Sequence, residues 1–144
     1  NLAFGDNGGF RDTYVFRLAE TYLIAAEAYL QNGNLPAALE KFNEIRERAG
    51  KTGLNPATGV TFKEEMKVNT LSLDDILNER AVELAGEELR WLELARTKTL
   101  VSRVRAFNDE AKALGNIDEH HIVRPIPQSQ IDLNRGDFPQ NNGY

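Results

Sequence analysis

The run SLDDILNERAVELAGEELRWLELARTK, Ser72 to Lys98, decides how this chain folds. Ser72 is placed to cap the free amides of a first helical turn, and Asp75 stands where a short acid reaches back. Leu73, Ile76, Leu77, Ala81, Leu84, Ala85, Leu92 and Ala95 then recur on one side of a 3.6-residue period. Glu79, Glu83, Glu87 and Glu93 take the other side. Gly86 interrupts, because glycine inside a helix costs roughly 1 kcal/mol against alanine. The stretch predicts one helix to about Ala85, a kink or tight turn, then a shorter helical piece carrying Arg90, Trp91 and Arg96.

Upstream, RLAETYLIAAEAYLQNG sets Leu18, Ala19, Tyr22, Leu23, Ala26, Tyr29 and Leu30 on one stripe, with Gly33 as a left-handed stop. Asn34 and Pro36 open a second helix with Leu35, Ala38, Leu39, Phe42, Ile45 and Ala49 on its stripe, ended by Gly50. Helices joined so briefly lie antiparallel, stripes facing. Residues 51–71 break the pattern with Gly53, Pro56 and Gly59; a short strand at Val60–Phe62 and one helical turn at Lys63–Lys67 are expected there. A loop this long is a usual place for function or mobility.

After Lys98, helical period returns through Leu100, Val101, Val104, Phe107, Ala111 and Leu114 to a stop at Gly115. Ile117 to Ile126 reads as extended, and Pro125-Ile126-Pro127-Gln128 is expected to stay out of helix, because each proline pushes its predecessor toward the β or polyproline region. The remainder, SQIDLNRGDFPQNNGY, is a polar, turn-rich tail with Ile131, Leu133 and Phe138 as expected anchors. At the other end, Asp6-Asn7-Gly8-Gly9 is a turn cluster without the alternating acids of a calcium loop.

One core suits 144 residues; two domains would be cramped. A net charge of −5 with no basic stripe argues against a nucleic-acid partner. No apolar run approaches the roughly 20 residues of a membrane span. Cysteine is absent, which excludes disulfides and thiolate metal sites. The chain opens on Asn1 with no charged, apolar or cleavable leader, so a missing N-terminal portion is expected to carry any signal peptide and lipidated cysteine.

The order Asn78-Glu79-Arg80, Glu83-Leu84-Ala85, Glu87, Arg90-Trp91, Leu94 and Arg96 resembles the ER…ELA.EG.RW.DL.R signature of the SusD/RagB family. Gly86 stands where that family often has an aromatic residue, and Glu88 where it usually has glycine. The closing pattern from Pro125-Ile126-Pro127-Gln128 to Asn142-Gly143-Tyr144 is similar to the end of such chains. Tyr22, Ala26, Tyr29, Gly33, Ala38, Phe42 and Ile45 also resemble one tetratricopeptide (TPR) unit, whose small residues let two helices approach. Such a unit cannot bury its outer face alone, and the 72–98 element is the available neighbour.

The resemblance implies the C-terminal part of a SusD/RagB-like domain. It would be all-α: a TPR-like pair at 17–50, a variable loop at 51–71, helices at 72–114, and an extended, proline-containing tail at 115–144. The implied role is a non-enzymatic glycan-binding component of a surface-exposed outer-membrane uptake complex. Its partners would be an oligosaccharide or polysaccharide and a SusC-like TonB-dependent transporter. This segment would be mainly scaffold, anchored through a lipid outside the chain. A TPR-type protein-interaction module and a carbohydrate-active enzyme are the alternatives.

Each residue with chemical promise has a plainer reading. Glu83 with Glu87, or Glu87 with Glu88, has the composition of a glycosidase pair, but carboxylates one turn apart on a charged face are usually solvated or paired with neighbours such as Arg80 and Arg90. The expectation is no catalytic residue. Arg80, Arg90 and Arg96 offer an anion site, against guanidinium forks tying the kinked helix to Glu79, Glu83 or Glu93. Trp91 is the one candidate sugar platform, against a core role. His120 and His121, adjacent in an extended segment, point apart and do not chelate one ion. No metal and no cofactor are expected. Arg135-Gly136-Asp137 reads as turn chemistry.

Overall fold

A computed structural model describes residues 15–87 and 90–144. The expected turn at Asp6–Gly9, the lead-in at Tyr14 and the departure at Glu88 lie outside the described residues. Helices and loops make up the described chain, with one isolated bridge between Leu54 and Thr61, so the fold is all-α. It divides into two compact units, up to Glu87 and from Glu88 onward.

The first unit begins with α1 (Leu18–Gln31) and α2 (Leu35–Ala49). Gly33 makes the turn between them at φ +75°, and Asn34 caps α2 by accepting from the Ala37 amide. Leu23, Ala26, Ala38, Phe42 and Ile45 are buried where the pair meets. Ala26 and Ala38 are both 0% exposed, as expected of small residues that let backbones approach. The outermost members of the expected stripes, Leu18, Tyr29 and Leu35, are exposed.

Gly50 ends α2 for a reason other than a left-handed turn. Its φ is −66°, and an added Cβ would sit 2.7 Å from the Lys63 Cα. That contact brings in α3 (Phe62–Glu65), capped by Thr61. The expected strand at Val60–Phe62 is reduced to the Leu54–Thr61 bridge. The connecting loop is stapled to α2: the Asn43 side chain bonds both Val68 N and Val68 O at 2.9 Å, and Arg46 Nε donates to Met66 O at 2.6 Å. Buried backbone polar groups demand such partners.

α4 (Leu73–Glu83) starts on a capping box, with Asp75 N 3.2 Å from Ser72 Oγ and Ser72 N 2.9 Å from Asp75 Oδ2. It packs on α1 through Ile76 and Leu77, both 0% exposed. The apolar stripe is narrower than its period suggests, because Ala81 and Ala85 are exposed. The helix stops at Leu84, and Gly86 turns the chain at φ +84°.

In the second unit α5 (Arg90–Arg96) leads through Lys98, a non-glycine residue at φ +56°, into α6 (Leu100–Phe107). Leu94, Leu100, Val101 and Ile117 are its buried apolar residues. The single helix expected over 100–114 is two. Asn108 leaves helical geometry and its side chain accepts from Ala111 N at 2.9 Å, capping α7 (Asp109–Leu114). The expected extended run from Ile117 is also interrupted, by a 3-10 turn at Glu119–Ile122. Beyond Pro125 and Pro127 the tail forms a further helix, α8 (Gln128–Leu133). Gln128 is thus helical, against expectation: it follows Pro127 and precedes no proline, so nothing bars it from a first turn, and Pro127 is the extended residue before that turn at ψ 131°.

Polar bonds, more than apolar anchors, hold the tail. Leu133 is 77% exposed and Phe138 is also exposed; only Ile131 of the three expected anchors is half-buried. Gln140 bonds Ile126 N at 2.7 Å and Ile126 O at 2.8 Å, mimicking a strand partner. Asn141 Nδ2 donates to Arg124 O and the Tyr144 hydroxyl to Val123 O.

Candidate functional site

The charged residues that follow α4's period converge on arginines from elsewhere in the first unit. Arg17, just before α1, donates through Nη1 to Glu83 Oε1 at 2.5 Å, through Nε to Glu87 Oε1 at 2.7 Å, and through Nη2 to the Glu83 backbone carbonyl. Arg48, in the last turn of α2, donates to the same Glu83 oxygen. One turn back, Arg46 Nη1 meets Glu79 Oε2 at 2.7 Å while its Nε holds Met66 O. On the face toward α1, Arg80 Nη2 lies 3.2 Å from Glu20 Oε1, both side chains under 10% exposed.

Burial alone would raise the Glu83 carboxyl, but hydrogen bonds from Arg17 and Arg48 more than offset it and hold it below the usual carboxylate range. The same bonds, from Glu83 first and then Glu87, push Arg17 further up. A glycosidase acid needs the opposite, a carboxyl raised until it keeps its proton near neutrality. Glu83 is therefore held as an anion at neutral pH.

In the second unit Glu93 is buried and accepts from Arg96 at 2.8 Å. Trp91 is half-buried, with the Arg124 guanidinium 4.9 Å from its ring centroid and its indole nitrogen enclosed. Arg90, half-buried, begins α5 beside it.

His120 and His121 do not point apart. The 3-10 turn brings their ring centroids to 3.8 Å, and the Tyr144 ring stands edge-on to both. Among the described residues no group of three or more acidic, histidine or cysteine side chains could hold a metal. None of the described helices is long and apolar enough to cross a membrane. A groove of about 410 Å³ lies in the first unit, lined by Phe42, Arg46, Val68, Thr70, Asp75, Asn78, Glu79 and Val82. Arg46 and Glu79 bond each other there, and Asp75 completes the α4 cap.

The sequence profile described as the SusD family matches residues 5–144. The chain belongs to the SusD family. It is 30% identical over 135 residues, 92% of this chain, to the starch-binding protein SusD of Bacteroides thetaiotaomicron. Over 140 residues, 90% of the chain, it is 32% identical to the SusD-like protein P25 of Formosa agariphila. Those alignments cover 22% and 24% of the two relatives, so the chain spans less than a quarter of their length. A SusD-like protein of Bacteroides ovatus is 35% identical over 86 residues, 58% of this chain and 13% of that protein. No solved structure matches the chain.

In each unit of this SusD-family chain the signature residues are engaged by neighbours of their own unit. Glu79, Arg80, Glu83 and Glu87 face α1, α2 and the residue before α1, through Arg46, Glu20, Arg17 and Arg48. Glu93 and Arg96 pair within α5. Pro125 and Pro127 flank Ile126, whose backbone is held by Gln140. The sequence reading missed Arg17, Arg46, Arg48, Glu20 and Arg124. The available signal was an unmatched count of acids along α4, which calls for cations supplied by other elements.

Proposed function

We propose that this chain serves a non-enzymatic, glycan-binding component of an outer-membrane uptake complex, with a SusC-like TonB-dependent transporter as partner. The assembled protein captures an oligosaccharide or polysaccharide at the cell surface and passes it to the transporter. It is held to the membrane by a lipid outside residues 1–144. Family membership supports the class, and the name of the Bacteroides thetaiotaomicron relative supports a glycan as ligand.

Within that role, residues 17–50, 72–114 and 115–144 act as scaffold of one C-terminal portion, with 51–71 as variable connection. The observation that carries this is the engagement of the charges of this stretch in ion pairs within the chain: Glu79 with Arg46, Arg80 with Glu20, Glu83 and Glu87 with Arg17, and Glu93 with Arg96. Side chains locked in internal ion pairs are poor recruits for a sugar, whose hydroxyls need free, aimed partners. Trp91, its ring met by Arg124, packs the second unit in this reading.

Affinity electrophoresis of the full-length protein in polysaccharide-containing gels tests the assignment. Trp91→Ala is expected to lower thermal stability and leave retardation of the folded protein unchanged. Loss of retardation at unchanged melting temperature would make Trp91 a sugar platform and overturn the scaffold reading.

A further inference from the structure

The His120–His121 pair lies where residues 140–144 close back on their own unit. Residues 140–144 lie along 120–126 through the Gln140, Asn141 and Tyr144 bonds already described. The approach is close: a Cβ on Gly143 would fall 2.6 Å from the His120 Cβ and 2.7 Å from its Cγ, so only glycine fits against that ring. Tyr144 then sets its ring edge-on to His120, centroids 5.1 Å apart.

The geometry points to a proton-operated latch: the paired rings hold segment 140–144 while uncharged, and release it when both carry charge. The spacing of the rings sets the sign. The ring centroids are 3.8 Å apart, a separation at which two imidazolium charges repel. His121 Nδ1 is also the acceptor for Asp118 N at 3.0 Å, a bond that a protonated Nδ1 cannot accept. That nitrogen lies 3.2 Å from Asp118 O as well, so the first proton can be accommodated by a new donation, and the second ring's charge does the releasing.

The charged surroundings are mixed. Asp118 and Glu119 sit in the same turn, Arg105 reaches from α6 to Asp118 Oδ1 at 2.7 Å, and the tail contributes the Tyr144 phenol. Histidine is the side chain whose charge ordinarily changes between pH 5 and 8, which sets the range over which the latch is tested. Docking is strong at the upper end and weakens as pH falls, because charging opposes the closed state.

Hydrogen–deuterium exchange with mass spectrometry on the full chain, corrected for intrinsic rates, reads the peptide covering 134–144. Its protection is expected to fall about tenfold from pH 7.5 to pH 5, the loss expected of two like charges held about 4 Å apart near solvent. Residues 1–144 hold two histidines, so His120→Gln with His121→Gln removes both imidazoles of this stretch and should abolish the pH response of the peptide. Gly143→Ala should open the segment already at pH 7.5. Protection that does not change with pH, a response persisting in the double variant, or full protection in Gly143→Ala would each overturn the latch.

Discussion

Arg17 and Glu83 show how one residue outside a motif can decide what the motif does. Arg17 stands at the end of an irregular approach to α1, yet three of its donors converge on Glu83 and Glu87, 66 and 70 positions away. Arg17→Ala leaves a mostly buried carboxylate with Arg48 alone and should cost about 1–3 kcal/mol in urea denaturation. The pH dependence follows. Glu83 has its folded value depressed, so its contribution is fully present above the unfolded carboxyl value near pH 4.3 and is lost as pH falls through the lower folded value. Stability should therefore decline below about pH 4.5, and Glu83→Gln should flatten that acid limb. An identical slope in the variant would mean that other carboxylates carry it. Glu65 contributes with the same sign, lowered by Thr58 first and Asn55 second.

At the scale of elements, local chemistry was readable and non-local chemistry was not. The Ser72–Asp75 box and the Asn34 cap were legible because both partners lie within one turn in sequence. The break at Asn108 was hidden: apolar period continues on either side of it, while its own side chain outcompetes the helix for Ala111 N. Asn108→Ala should lose that cap at a cost of about 1 kcal/mol, seen as a lower melting temperature. The close histidine pair was hidden too, because a 3-10 turn replaces the alternation assumed for an extended run. Gly50 was legible as an end but not for its cause, the passage of α3 across it. Gly50→Ala should cost about 1–3 kcal/mol by forcing Lys63 aside, more than the methyl group alone would suggest. A variant as stable as the parent would show that α3 yields freely.

For the whole molecule, the all-α class and the family were within reach of sequence because helical stripes and an ordered signature survive as patterns along the chain. The candidate site was less accessible. Its acids were visible on α4, but their cations come from before α1 and from the far turns of α2, where no periodicity marks them. What emerges is a SusD-family portion whose conspicuous charges lock helices to one another. The most direct test measures two quantities on Glu83→Gln in the full-length protein: the urea midpoint and the glycan dissociation constant by calorimetry. The account predicts a lower midpoint and a dissociation constant within a factor of about two of the parent. A dissociation constant raised about tenfold at an unchanged midpoint, equivalent to about 1.4 kcal/mol of lost binding, would contradict it.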